Sequence, residues 1–225
     1  MRTVETRLAV FDLDGTLVDS RRSIDSAMDQ AFAAVGLAPP GYAETRKIVG
    51  LSLVQAIKAL APDLDEARYP ALAEAYRQAF VANREKGLNE PLYDGARALV
   101  MDLREAGWLL GVATGKARRG VDHFLDAHGF ADVFDCAFCA DDGPGKPHPH
   151  MLQLNLKAVS VEASQAVMIG DTSFDMIMAR EAGCLAQGVS WGFHTADEIE
   201  AGGAHHVADD FAGLRMRLSA FAGAV

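Results

Sequence analysis

Two carboxylates stand two residues apart in the run FDLDGT, at Asp12 and Asp14, directly after the apolar stretch RLAVF. Side chains alternate along an extended backbone, so both acids point to one side. Gly15 then allows the chain to leave by a sharp turn. Two adjacent carboxylates repel unless a proton or a cation intervenes. With Asp171 beside them they would form a hard, oxygen-rich pocket suited to Mg²⁺. Thr114, Lys146 and Asp175 follow other apolar runs or glycine turns. Taken singly, each has an ordinary account. A calcium loop opening at Asp12 would want glycine where Leu17 stands. Thr114 with Gly115 reads as a strand-to-helix turn, Lys146 as a solvated loop lysine, and Asp171 as a helix N-cap.

The elements that must carry these groups are legible from hydrophobic spacing. Short apolar runs at residues 7–11, 109–113 and 166–169 each end at a polar or glycine signal, and read as buried strands. Residues 185–189 and 133–140 are two further strand candidates. Helical stripes lie between them: Leu99, Val100 and Leu103; Val121, Phe124 and Leu125; Phe174, Ile177 and Met178; Phe211, Leu214 and Leu218. Thr195 with Glu198 fits a capping box. Strands alternating with helices predict an α/β fold, a Rossmann-like, mostly parallel sheet. Ligands of such sheets bind beyond the carboxyl ends of the strands, where the candidate residues fall.

About ninety residues separate the first two strands, far more than one crossover helix needs. Ile24, Ala27, Met28, Ala31, Phe32 and Val35 keep the helical period; so do Val54, Ile57 and Leu60, and Tyr69, Leu72, Tyr76 and Phe80. Residues 20–89 are therefore predicted to be an inserted α-helical domain, and residues 1–19 with 90–225 the α/β core. The chain has 225 residues, roughly 1.5 typical domains. Its net charge of −10 argues against a nucleic-acid partner. No apolar run reaches the length of a signal peptide core or a membrane span, and three cysteines build no disulfide framework, so a cytoplasmic location is expected.

FDLDGTLVDS, then ATGK, GKPHP and GDTSFD, in that order, resemble the haloacid dehalogenase-like superfamily of phosphohydrolases. The resemblance runs from Leu8 to about Leu214. It implies Asp12 as a nucleophile that forms an aspartyl-phosphate, and Asp14 as general acid and base. Thr114 and Lys146 would hold the phosphoryl oxygens. Mg²⁺ would be bound by Asp12, the Asp14 backbone carbonyl and Asp171, with Asp175 supporting its waters. The helical insertion is similar to the family's small cap, which closes over the site. The branch resembled includes phosphoglycolate phosphatases and implies a small phosphorylated metabolite as partner. ATGK departs from the Thr-Asn pattern of that branch. Asp14 sets the chain apart from dehalogenases and phosphonate hydrolases, whereas sugar-phosphate mutases and pyrophosphatases retain such an acid. A non-catalytic phospho-receiver shares the Asp, Thr and Lys set but is about half as long and has no cap.

Weaker signals remain. Arg46 and Lys47 precede a glycine turn and are candidates for a substrate's anionic tail, as are Arg21 and Arg22. Cys136-x-x-Cys139 matches a redox or half-zinc spacing, but no second pair completes a zinc site, and the alternation Phe134, Cys136, Phe138 reads as small buried cysteines on a strand. His148 and His150 read as loop histidines opening a Pro-led helix, and His205-His206 as surface.

Overall fold

All four residues of β1 (Leu8–Phe11) are buried, and a strand covered on both faces needs neighbours on both edges. It has them in the computed structural model, which describes residues 6–223. β2 (Leu109–Ala113) pairs with it in parallel on one side and β4 (Ala166–Gly170) on the other. Beyond β2 lies β3 (Cys136–Phe138); beyond β4 lie β5 (Leu185–Val189) and β6 (His206–Ala208). The sheet order is β3-β2-β1-β4-β5-β6, with every pairing parallel. Phe11 stands level with Val112 and Ile169, so Asp12, Thr114 and Asp171 leave the sheet together at its carboxyl end.

The period-two alternation of β1 sorts its side chains into two layers. Ala9 and Phe11 join a core closed by α5 (Ala96–Glu105), α6 (Arg118–Ala127) and α10 (Phe211–Gly223). Leu8 and Val10 face the other layer, made by α7 (His150–Val159), α8 (Ser173–Glu181) and α9 (Ala196–Ala201). The expected α/β architecture is present.

Three local expectations need correction. The strand expected over 133–140 is confined to Cys136–Phe138, because Val133 and Phe134 pack on the core before it and residues 140–142 turn into a 3-10 helix. β6 had no counterpart in the sequence reading: it is a three-residue edge strand that begins at His206, and His205 Nδ1 accepts from the Ala186 amide. On α8 the inward residues are Asp175, Met176, Met178 and Ala179, while Ile177 is exposed. The Asp175 carboxylate takes an inward position that hydrophobic spacing assigns to an apolar side chain. The Thr195–Glu198 capping box forms as expected.

Between β1 and α5 the described chain is helical: α1 (Arg21–Ala34), α2 (Tyr42–Thr45), α3 (Leu53–Leu60) and α4 (Tyr69–Glu85). These helices share a third apolar cluster, to which the loop after β5 contributes Phe193. Of the stripe Val54, Ile57 and Leu60, Ile57 is buried while Val54 is exposed. At the root of the segment the outgoing and returning chains run side by side through an antiparallel bridge between Val18 and Leu92. Asp19 N donates to Pro91 O, and Tyr93 N to Leu17 O. No helix of the described residues is long and apolar enough to cross a membrane.

Where the helical segment meets the sheet, the contact is backbone to backbone. A Cβ on Gly115 would lie 2.7 Å from Leu51 O and 2.8 Å from Gly50 O. Carbonyls held in a turn give way less easily than a side chain. Gly115→Ala should therefore cost about 1–3 kcal/mol and lift the Gly50–Leu51 turn off the core. A lowered Tm with faster amide exchange around Gly50 and Leu51 is expected; unchanged exchange there would contradict this account.

Candidate active site

Asp12 continues the sheet by one residue: its amide donates to Ile169 O at 2.9 Å. Its Oδ1 accepts from Leu13 N at 2.7 Å, which fixes the rotamer. Gly15 has φ +80° and no room for a side chain, since a Cβ there would lie 2.2 Å from Asp171 Oδ2. The missing side chain lets Asp171 close against the loop. Asp171 then accepts from Thr16 Oγ1 at 2.7 Å and from Phe193 N at 2.8 Å. Thr172, not Asp171, is the N-cap of α8. It also donates its amide and hydroxyl to Asp175 Oδ2, turning that carboxylate back toward the sheet.

Lys146 closes the group. Its Nζ is wholly buried, 3.0 Å from Asp12 Oδ2 and 2.6 Å from Asp175 Oδ1. Burial opposes the ammonium, but the two carboxylates outweigh it and hold the lysine pKa above its usual value. One oxygen from each of Asp12, Asp171 and Asp175 lies within 4.8 Å of the others, all three residues being buried. Three carboxylates and one ammonium leave a formal charge of −2. Burial and that excess both act on the acids. Asp12 is pushed up to about 7, by burial first and then by Asp175 and Asp14 against the pull of Lys146. Asp171 is raised well above the carboxylate range by burial, then by Asp12 and Asp175. An oxygen-only donor set with two uncompensated charges fits a hard divalent cation.

Asp14 points elsewhere. Its Oδ1 lies 2.8 Å from Lys116 Nζ, and Lys116 in turn lies 3.0 Å from Glu90 Oε1. Phe80 from α4 covers that ammonium, with Nζ 5.3 Å from the ring centroid. Burial works against the Lys116 charge, yet Asp14 and Glu90 together keep its pKa above normal. Glu90 is raised by burial, with Lys116 opposing. Thr114 is buried and hydrogen-bonded through its amide to Phe138 O. Asp12, Asp14, Thr114, Gly115 and Lys116 all open on one cavity of about 760 Å³, whose far wall is built by α1, α3 and α4.

The model of the haloacid dehalogenase-like hydrolase family matches residues 9–189, a span that includes Asp12, Asp14, Glu90, Thr114, Lys116, Lys146, Asp171 and Asp175. The chain belongs to the haloacid dehalogenase-like hydrolase family. It is 34% identical over 209 residues to a probable phosphatase, IndB, from Dickeya dadantii, covering 91% of this chain and 90% of that one. It is 32% identical over 214 residues to a phosphoglycolate phosphatase from Vibrio cholerae, covering 92% and 95%. A hydrolase from Pseudomonas syringae superposes with a TM-score of 0.85 at 24% identity, covering 96% of this chain and 99% of that one; this likeness is one of fold.

In this hydrolase the residues singled out from sequence divide into two groups. Asp12, Lys146, Asp171 and Asp175 form one buried cluster; Asp14, Thr114 and Gly115 face the cavity beside it. Arg46 belongs to neither. Its guanidinium holds Glu198 at 2.8 and 3.1 Å and Phe193 O at 3.0 Å, so it joins the helical segment to α9. That pairing holds Glu198 down to about 2. Lys47 pairs with Glu44 and Arg21 with Asp19. Cys136 donates to Asn155 Oδ1, and burial first of all pushes both Cys136 and Cys139 up to about 11, which suits inert thiols.

Lys116 and Glu90 had no role in the sequence reading. Lys116 stands in the quoted ATGK run, so its position at a strand end was a usable signal. Glu90 carries no local signal, because it meets Lys116 only when the helical segment returns to the core. Removing the cation leaves Asp14 and Glu90 buried face to face. Lys116→Met should cost roughly 3 kcal/mol, read as a fall in Tm. Adding Glu90→Gln should recover most of it, and a double variant no more stable than the single one would refute the pairing.

Proposed function

We propose that this hydrolase cleaves a small phosphomonoester through an aspartyl-phosphate on Asp12, with Mg²⁺ as cofactor. The observation that carries the reading is the position of Asp12: buried, at the end of the central strand, on an ammonium, and open to the cavity beside Asp14. The names of the relatives make phosphoglycolate the first substrate to test. Residues 20–89 would serve as a cap over the core formed by the rest of the chain, excluding bulk water from the reaction.

An anionic nucleophile meets an anionic phosphate here, and phosphoryl transfer asks chiefly for positioning and charge neutralisation. A free lone pair of the Asp12 carboxylate attacks phosphorus, and the bond from phosphorus to the ester oxygen breaks. Asp14 gives its proton to the leaving oxygen. Asp14 then takes a proton from water, the water oxygen attacks phosphorus, and the Asp12–phosphorus bond opens to release inorganic phosphate. Thr114 donates to a phosphoryl oxygen from the strand end. Lys146, steadied by Asp175, keeps positive charge behind the nucleophile. Asp12, Asp171 and the Asp14 carbonyl would hold Mg²⁺, which supplies charge neutralisation at the phosphoryl group when bound. A non-catalytic receiver would have no use for a second acid on the cavity or for a helical wall over it.

Turnover of p-nitrophenyl phosphate should vanish on chelation with EDTA and return with Mg²⁺; activity indifferent to chelation would remove the metal from this scheme. Asp12→Asn should lower kcat by at least about 10³-fold. Asp14→Asn should release a burst of p-nitrophenolate, then stall with phosphate retained on the Asp12 peptide, as seen by mass spectrometry. Steady turnover by either variant would reassign the role.

A further inference from the structure

The helical wall of the cavity carries an apolar patch, Ile24, Met28, Val54, Tyr76, Phe80 and Val81, flanked by the charged Glu74, Arg77, Arg84 and Glu85 of α4. Two features tie this wall to the chemistry rather than to packing. Phe80 lies over the Lys116 ammonium, which itself contacts Asp14, so the aromatic surface reaches the proposed acid. Val54 is 46% exposed, an aliphatic side chain with an open face turned to the cavity. Tyr76 and Phe80, one helical turn apart on α4, hold their rings 5.8 Å apart and 34° from parallel.

The two lysines beside the acids point the same way. A short phospho-acid brings a carboxylate close to its phosphate and needs a free cation there. Lys146 is already shared by Asp12 and Asp175, and Lys116 by Asp14 and Glu90. Three arginines also line the cavity: Arg77, exposed and turned to Glu74 at 3.4 Å, Arg119, exposed, and Arg84, half-buried on α4 one turn beyond Phe80. A volume of about 760 Å³ suits a ligand of many more atoms than a two-carbon acid.

We propose that the leaving group of the substrate is ring-bearing: a phosphomonoester whose nucleoside or aryl body lies along Tyr76, Phe80 and Val54. The inference rests on the phosphatase reading of Asp12 and narrows it within the phosphomonoesters. A flat body there gains apolar and aromatic contact, and its ester oxygen stays beside Asp14.

The test measures kcat/KM for phosphate release from naphthyl phosphate and from a purine and a pyrimidine nucleoside monophosphate. Phosphoglycolate and glycerol phosphate serve as short comparators. At least one ring-bearing ester should exceed phosphoglycolate by about tenfold or more. Phe80→Ala and Val54→Arg should each reduce that preference by about tenfold, chiefly through KM. Val54 is exposed, so its variant should keep the native circular dichroism and Tm. Phosphoglycolate equal to or better than every ring-bearing ester overturns the inference and leaves the phosphatase reading standing. A preference unmoved by both variants also overturns it. No phosphate release from any ester, p-nitrophenyl phosphate included, with no phosphate on Asp12, brings down the phosphatase reading and this inference together.

Discussion

Like charges forced together at the end of the central strand set the terms for the rest of the molecule. Two carboxylates about 4 Å apart repel by roughly 4 kcal/mol at an effective dielectric of about 20. That is comparable with the whole stability margin of a domain, about 5–15 kcal/mol. The fold answers this with directed contacts. Register aligns β1 with β4 so that Asp12 and Asp171 emerge side by side, the Lys146 loop brings an ammonium between Asp12 and Asp175, and Thr16, Phe193 and Thr172 donate to the remaining oxygens. The compensation stops short of neutrality. Burial first, and then the neighbouring carboxylates, raise the pKa values of Asp12 and Asp171, and such perturbed acids at a strand end are characteristic of a working site.

The second acid of the DxD pair is handled differently, and the difference has structural reach. Asp14 leans on Lys116, Lys116 on Glu90, and Glu90 stands beside Pro91, where the returning chain bonds to Asp19. The carboxylate proposed to move protons is thus connected, through one lysine, to the junction where the helical segment rejoins the core. Arg46 also reaches across to Glu198 and Phe193, and Gly115, next to Lys116, admits the Gly50–Leu51 turn. These contacts hold the helical segment against the core.

Much of this was readable from residue order, for identifiable reasons. β1, β2, β4 and β5 are apolar runs that end in polar or glycine signals, so both their existence and their carboxyl ends could be marked. Asp12 with Asp14, Thr114, and Asp171 with Asp175 fall at the ends of β1, β2 and β4, while Lys146 comes from the loop after β3. β6 escaped because it is short, lies at the edge and begins with an exposed histidine. The inward face of α8 departs from its hydrophobic stripe because Asp175 occupies an inward position where a hydrophobic count expects none. Lys116–Glu90 and Arg46–Glu198 are tertiary pairs whose partners are far apart in the chain, and nothing local marks them. Arg46 illustrates the difficulty well. A cation before a glycine turn looks available for an anion until the fold supplies Glu198.

The bridge between Val18 and Leu92 has a consequence for how the chain reaches its native state. β1 cannot pair with β2 until the polypeptide closes a long loop, and such non-local pairing slows folding because the entropy is lost before contacts repay it. The helices between them bury a cluster of their own. Once they have collapsed, Val18 and Leu92 lie next to each other, and the effective loop shrinks to the few residues on either side. The segment that walls the cavity therefore also brings α5 and β2 back beside the strand that ends at Asp12.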